Sequence, residues 1–289
     1  MRQMTYLVHT IAVGVFQHRL QPQELLLTLL GNELLRSTDT QVRSAGLVSA
    51  LSEHEFSPAA TRSALSRLVK RGMLDPTKNG REVHYQLTAR ATALLSDGEQ
   101  RILSFSELNP GDEWTLLSYS LPADQRSPRD RLRRRLSFLG FGGLRDGQWI
   151  APGNRVADTM PTLVELNLQH QVEMFVGQPA SVTDVAQLVR SVWGCFTELA
   201  TAYETFSRRW SNSAWVDALG PLKARTLVMH EWRQFPHRDP GLARQHLNWG
   251  EVRTQARDDF FNVWTENAAA ANREFVTLCE SNISAKATA

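Results

Sequence analysis

The stretch SPAATRSALSRLVKRGMLDPTKNGREVHYQLT, Ser57 to Thr88, dictates more local structure than any other in the chain. Ser57 is suited to cap a helix, Pro58 to occupy its first turn, and Gly72 to stop it. The Asn79-Gly80 pair then favours a type I′ hairpin, with a short strand at Met73 to Pro76 before it. After it, Val83, Tyr85 and Leu87 alternate with Glu82, His84 and Gln86. Thr88 can cap a further helix through Leu95.

Upstream, PQELLLTLL (Pro22 to Leu30) predicts an apolar helix ended by Gly31. Val42 to Leu51 predicts a second, weakened by Gly46. Three helices followed by a β-hairpin is the order of a winged helix-turn-helix. The polar segment Asp97 to Asp112, with Asn109-Pro110-Gly111, reads as a domain boundary.

Beyond it the pattern predicts a strand at Trp114–Leu121, a helix from Ser127 to Gly140, and short strands at Phe141–Leu144 and Gln148–Ala151. A helix at Met160–Leu168 and a strand at Gln171–Val176 follow. This β-α-β-β-α-β order is that of a small ferredoxin-like domain. From Ser181 onward the chain reads as helical, with Thr183–Arg209, Leu219–Trp232 and Glu251–Ser281 as the main helices. The expected class is α+β: a winged helix-turn-helix (20–97), a central ferredoxin-like domain (112–178) and a helical C-terminal domain (181–283).

The helix from Ser57 carries a narrow apolar seam. At about 100° per residue, Thr61, Leu68 and Val69 cluster around Leu65. Ser63, Ser66, Arg67 and Lys70 fall opposite, with Arg62 and Arg71 at the flanks. No acidic residue lies between Ser57 and Gly72. Arginine and lysine pair with phosphates or guanine edges, and hydroxyls reach base or backbone. Lys78 and Arg81 add cations at the hairpin. For a lone basic helix a solvated face is the better explanation; the helices before it and the hairpin after it reverse that and favour duplex DNA. The candidate DNA-binding residues are Thr61, Arg62, Ser63, Ser66, Arg67, Lys70, Lys78 and Arg81.

The chain resembles the PaaX-like transcriptional regulators of aromatic catabolism. The resemblance is carried by LLLTLLG (Leu25–Gly31), TRSALSRLVKRGML (Thr61–Leu74), GREVHYQLT (Gly80–Thr88), RDRLRRRLSFLGFGGL (Arg129–Leu144), GQWIAP (Gly147–Pro152) and HEWRQFPHRDPGLARQHL (His230–Leu247). It implies a winged helix, a central domain like the CRISPR-adaptation ferredoxin-like nucleases, and a helical C-terminal domain. It also implies a homodimeric repressor of a catabolic operon, released from its operator by a small aromatic ligand or acyl-CoA such as phenylacetyl-CoA. Met73 stands where an aromatic is common, and His84 where a second tyrosine is common. The segment after His246 lacks the usual proline-rich ending. These departures bear on the effector rather than on DNA binding.

Two other clusters invite chemistry. In RDRLRRRLSFLG, Leu132, Leu136 and Leu139 form a seam and leave Arg133 and Arg134 outside. These arginines suit coenzyme A phosphates, further DNA contacts, or acidic partners at an interface. His230, Glu231, His237, Asp239 and His246 are rich in potential metal ligands, but their spacing matches no known ligand set. Trp232, Arg233, Phe235 and His237 could line an aromatic pocket, or anchor an irregular loop on the last helices. Arg133, Arg134, Trp149, His230, Trp232, Arg233 and His237 are the candidate effector residues. No cofactor or metal is expected.

Catalytic signatures are missing. There is no glycine-rich phosphate loop, no G-x-S-x-G and no H-E-x-x-H. A metal-dependent nuclease, the alternative enzyme reading, needs a carboxylate at the end of its first strand, and WTLLSYSLP has none. Asp124 lies in the following loop. The alternative without small-ligand control is a transcriptional activator. A formal net charge of +2 does not by itself announce nucleic acid, so the placement of charge matters more. Two cysteines, Cys195 and Cys279, form no zinc or redox spacing. The apolar run Ile11–Phe16 is too short to span a membrane, and no cleavage site follows it. The expectation is a cytoplasmic protein with duplex DNA and a small effector as partners, no membrane association, and an N-terminal extension (1–19) of unassigned role.

Overall fold

The computed structural model describes residues 20–35, 41–107, 112–122, 126–194, 196–242, 247 and 250–280. The chain forms two compact units: residues 1–103, 205–232 and 255–289 make the first, and 104–204 with 233–254 the second. Residues from the C-terminal third therefore enter both.

The first unit opens with helix α1 (Pro22–Leu34), started by Pro22 in its first turn. It does not stop at Gly31 as the sequence suggested. Asn32, Glu33 and Leu34 are buried, and their tertiary partners carry the helix one turn further. Val42 and Arg43, expected as the beginning of a helix, belong instead to strand β1 (Gln41–Arg43), and helix α2 covers Ser44–Ser52. The extended conformation is held by pairing with the hairpin, Val42 opposite Tyr85, and by an Arg43–Glu82 ion pair.

Helix α3 (Pro58–Lys70) begins as the sequence dictates, with Ser57 Oγ accepting the Ala60 N–H at 3.2 Å. At its other end Gly72 is left-handed, φ +66°. The Met73 N–H bonds to Leu68 O and the Gly72 N–H to Val69 O, the paired bonds of a Schellman stop. Strands β2 (Leu74–Asn79) and β3 (Glu82–Leu87) follow, giving an antiparallel sheet in the order β1-β3-β2. The turn sits one residue later than expected. Asn79 stays in register with Glu82, so Gly80 and Arg81 are central. Gly80 takes φ +61° at the first central position, the glycine position of a type II′ turn.

Thr88 caps helix α4 (Ala89–Glu107), accepting the Ala91 N–H at 3.0 Å and donating to Gly72 O at 2.8 Å. This helix runs twelve residues past Leu95, through much of the stretch that read as a polar connection. Its polar side chains mask an amphipathic helix, since Arg101, Ile102 and Leu103 are partly buried.

Six further helices follow among the described residues from Val185 onward, of which Val185–Trp193 lies in the second unit and the others lie wholly or partly in the first. The predicted Thr183–Arg209 helix is broken at Gly194, φ +79°, into α7 (Val185–Trp193) and α8 (Thr197–Trp210). Short α9 (Ser213–Leu219) precedes α10 (Pro221–Trp232). The last predicted helix is likewise two, α11 (Gly250–Glu266) and α12 (Ala268–Glu280).

Leu222, Ala271 and Phe275 from α10 and α12 share one core with Leu26, Leu29 and Leu30 of α1, Leu47 and Leu51 of α2, and Leu65 and Leu68 of α3. Each such fully buried large side chain contributes roughly 1.5–3 kcal/mol. α12 lies close against α2: a Cβ on Gly46 would meet Cys279 Cα at 2.8 Å. Around α10, Trp232 stacks on Phe260 at 5.0 Å and packs against Phe206.

In the second unit, β4 (Trp114–Tyr119), α5 (Arg126–Phe138), β5 (Gly142–Arg145), β6 (Gln148–Pro152), α6 (Val156–Glu165) and β7 (Val172–Gly177) appear in the predicted order. The sheet runs β5-β6-β4-β7 and is antiparallel throughout. Leu132 and Leu136 of α5 and Leu163 of α6 pack on Leu117, Tyr119, Trp149 and Ala151. Trp114, Val189 and Leu242 form a second cluster. Asp239 ties the chain after α10 to this unit, accepting from the Tyr203 hydroxyl at 2.8 Å and the Gly241 N–H at 2.7 Å. Burial, reinforced by the Asp239 carboxylate, raises the Tyr203 phenol well above its usual pKa.

The turn between α2 and α3 gives a pH prediction. His54 is partly buried, and its Nδ1 has no hydrogen-bond partner. Burial, with the nearby Lys223 ammonium, pushes its imidazole down to about pKa 3. The unfolded chain takes up this proton near pH 6.5 and the folded chain only near 3. Stability present above pH 6.5 is therefore lost as pH falls toward 3, at most at about 1.4 kcal/mol per pH unit. Urea midpoints from pH 7 to 4 should fall more steeply for the wild type than for His54→Gln. Parallel pH profiles would remove His54 as the cause.

Candidate nucleic-acid interface

Burial divides α3 as its seam predicts. Thr61, Ala64, Leu65 and Leu68 are fully buried, and Val69 is half-buried. Thr61 is thereby removed from the candidate set: its hydroxyl donates to Ser57 O at 3.3 Å within the helix. It lies on the same side as Leu65 and Leu68, which face the core. Arg62, Ser63, Ser66, Arg67 and Lys70 are all exposed, and Arg71 joins them at the helix end.

The hairpin adds Lys78 and Arg81, both exposed. The one-residue shift of the turn puts Arg81 at its centre and Lys78 opposite Val83. Among the described residues none of Arg62, Arg67, Lys70, Arg71, Lys78 and Arg81 has an ion-pair partner. Glu82 at the tip is engaged by Arg43, with His84 Nε2 3.7 Å away, so its charge is offset within the sheet. The result is a surface with several uncommitted cations and hydroxyls on one rigid helix and its adjoining hairpin. Such a surface can neutralise phosphates and present donors to base edges.

The candidate effector residues do not gather. Arg133 and Arg134 are exposed on α5. Trp149 is 9% exposed in the core beneath α5 and α6. His230 and Trp232 belong to the first unit, Arg233 and His237 to the second. His230 is buried, its Nδ1 3.4 Å from the Thr28 hydroxyl. Trp232 is 1% exposed. His237 is exposed, and its ring meets Phe138 at 5.2 Å. These aromatics mostly anchor cores, the second of the two readings open for them.

The candidate metal ligands are committed elsewhere. Glu231 is buried and bound by Arg209 and by the Trp210 indole N–H at 3.0 Å. Its burial raises the carboxyl pKa despite the Arg209 charge. Asp239 is held by Tyr203, Gly241 and Arg253. Among the described residues no group of three or more potential ligands is placed to hold a metal. His246, Cys195 and Asp124 lie outside the described residues.

Known proteins match the chain in three consecutive segments. Residues 21–91 match the PaaX-like protein family, 108–189 the PaaX protein central Cas2-like domain, and 194–277 the PaaX-like protein C-terminal domain. The chain belongs to the PaaX-like family. Its relatives include the transcriptional repressor PaaX of Escherichia coli K12, 27% identical over 256 residues, spanning 85% of this chain and 80% of that one. An uncharacterized protein from Mycobacterium tuberculosis shares the fold at TM-score 0.59 and 16% identity, over 89% of this chain and 98% of that chain. The central segment matched as Cas2-like includes the four-stranded sheet and both of its covering helices. No described helix is long and apolar enough to cross a membrane.

Sequence reasoning missed Lys223, which reaches Glu53 O at 2.6 Å on the turn before α3. Nothing in the sequence links positions so far apart.

Proposed function

We propose that the chain is a DNA-binding transcriptional repressor in which α1, α2, α3 and the β2–β3 hairpin act as a winged helix-turn-helix. The observation that carries this reading is the outward face of α3, with Arg62, Ser63, Ser66, Arg67 and Lys70 exposed and uncommitted beside Lys78 and Arg81. The E. coli relative named as a transcriptional repressor supports the same role. In this reading α3 enters the major groove, and two copies related by a two-fold axis read a near-palindromic operator. Arg67 and Lys70 supply base or phosphate contacts, and the hairpin cations hold a flanking phosphate.

The operon belongs to aromatic-compound catabolism, and the repressor works in the cytoplasm without catalytic activity of its own. Its effector is an aromatic acid or acyl-CoA such as phenylacetyl-CoA, with the exposed Arg133 and Arg134 available to its phosphates. The effector releases DNA by binding more tightly to the DNA-free arrangement.

Binding of the purified protein to the DNA upstream of its own gene tests the first part. If Arg67 makes a bidentate base contact, Arg67→Ala should weaken specific binding by roughly 1–3 kcal/mol. If it touches only phosphate, all sequences should weaken alike and the salt slope should fall by about one. Unchanged affinity in Arg67→Ala/Lys70→Ala would overturn the interface. For the effector, titrating aromatic acids and their CoA thioesters into the preformed complex should release DNA with one chemical class only. Release by none would leave a regulator without small-ligand control.

A further inference from the structure

One turn of α10, Leu222 to Arg225, touches three separate parts of the first unit. Leu222 enters the shared core, and its N–H is accepted by Glu274 Oε2 of α12 at 3.1 Å. Arg225 pairs with Glu33 near the end of α1 and donates to Asn32 O at 3.1 Å. Lys223, between them, donates from Nζ to Glu53 O at 2.6 Å. Glu53 is the C-cap of α2, so this carbonyl belongs to the unpaired end of that helix. A cation there also meets the negative end of the helix dipole.

The turn it holds is conformationally demanding. Glu55 adopts φ +66°, a left-handed conformation that costs a residue with a side chain; it is closed locally by the Phe56 N–H on Leu51 O and the Glu55 N–H on Ser52 O, and Lys223 adds a hold on the carbonyl these bonds leave free. Five residues, Glu53 to Ser57, separate α2 from α3 and set the angle between them. We infer that Lys223 is a positioning residue for nucleic-acid recognition: by fixing the α2–α3 turn through Glu53 O, it sets the orientation of α3 without touching DNA. This inference rests on the repressor reading above. It makes the C-terminal segment part of the recognition apparatus, because the ammonium that steadies the turn comes from 170 residues downstream.

The test uses the full-length protein and three variants. Lys223→Met keeps the alkyl stem and removes the ammonium, Lys223→Arg keeps the cation, and Arg67→Ala/Lys70→Ala serves as the contact control. Loss of one charge-assisted hydrogen bond should weaken operator binding by Lys223→Met about three- to tenfold. Lys223→Arg should recover most of that affinity. The salt slope of Lys223→Met should match the wild type, since no phosphate contact is lost. Amide hydrogen exchange at residues 53–57 should accelerate in Lys223→Met and not at β4–β7.

Wild-type affinity in Lys223→Met would overturn the inference, as would a salt slope reduced by about one, which would make Lys223 a phosphate contact. If the wild type itself binds no DNA, the repressor reading fails. The exchange experiment then still decides the hold on the turn, and unchanged exchange at residues 53–57 would overturn it.

Discussion

A buried guanidinium organises the first unit. Arg225 is 5% exposed and serves Glu33, the Asn32 carbonyl and the Trp264 carbonyl together, with its planar head 5.0 Å from the Trp264 ring. Asn32 and Trp264 close the set through their own bond at 3.3 Å, and Asn272 Nδ2 reaches Glu33 at 3.4 Å. Burial raises the Glu33 carboxyl, and Arg225 pulls it back. An arrangement of this kind adds little net stability when intact, but leaving either charge alone costs about 3–5 kcal/mol. Its effect is to specify: only one placement of α1 against α10, α11 and α12 satisfies every member.

That specification reaches the exposed side of the unit. α1 and α2 carry α3 on a shared leucine core, and the Schellman stop after α3 leads straight into β2. The cations on α3 are therefore mounted on a helix whose seam, start and end are all fixed. Fixing the backbone matters for recognition because a bidentate base contact depends on orientation as much as on charge. The neutralisation of Glu82 by Arg43 has a related effect, since it leaves the hairpin tip to Lys78 and Arg81.

What could be read from the sequence follows from the range of the interactions. The cap at Ser57, the stop at Gly72 and the seam around Leu65 are set within a few residues, and the structure reproduces them. The central β-α-β-β-α-β order was equally legible, because each element carries its own periodicity and the turns between them are short. Gly31 misled because its helix is prolonged by bonds to Arg225, 193 residues away in the case of Asn32. β1 was hidden for the same reason: three residues become a strand only when β3 lies alongside. Trp149, Trp232 and His230 have the chemistry of a binding pocket, but their packing assigns them to cores, and composition cannot distinguish the two.

The same long-range contacts determine where regulation can act efficiently. A hundredfold change in DNA affinity corresponds to about 2.7 kcal/mol. No ligand needs to unfold a helix to supply that. The three- to tenfold effect expected of the exposed Lys223 bond corresponds to about 0.7–1.4 kcal/mol, so one such bond made in one arrangement and lost in the other supplies part of that change. Lys223 to Glu53 O is a bond of that kind, placed on the five residues that aim α3. The contact shown is local: one ammonium of α10 on the carbonyl that ends α2, beside the turn that leads into α3.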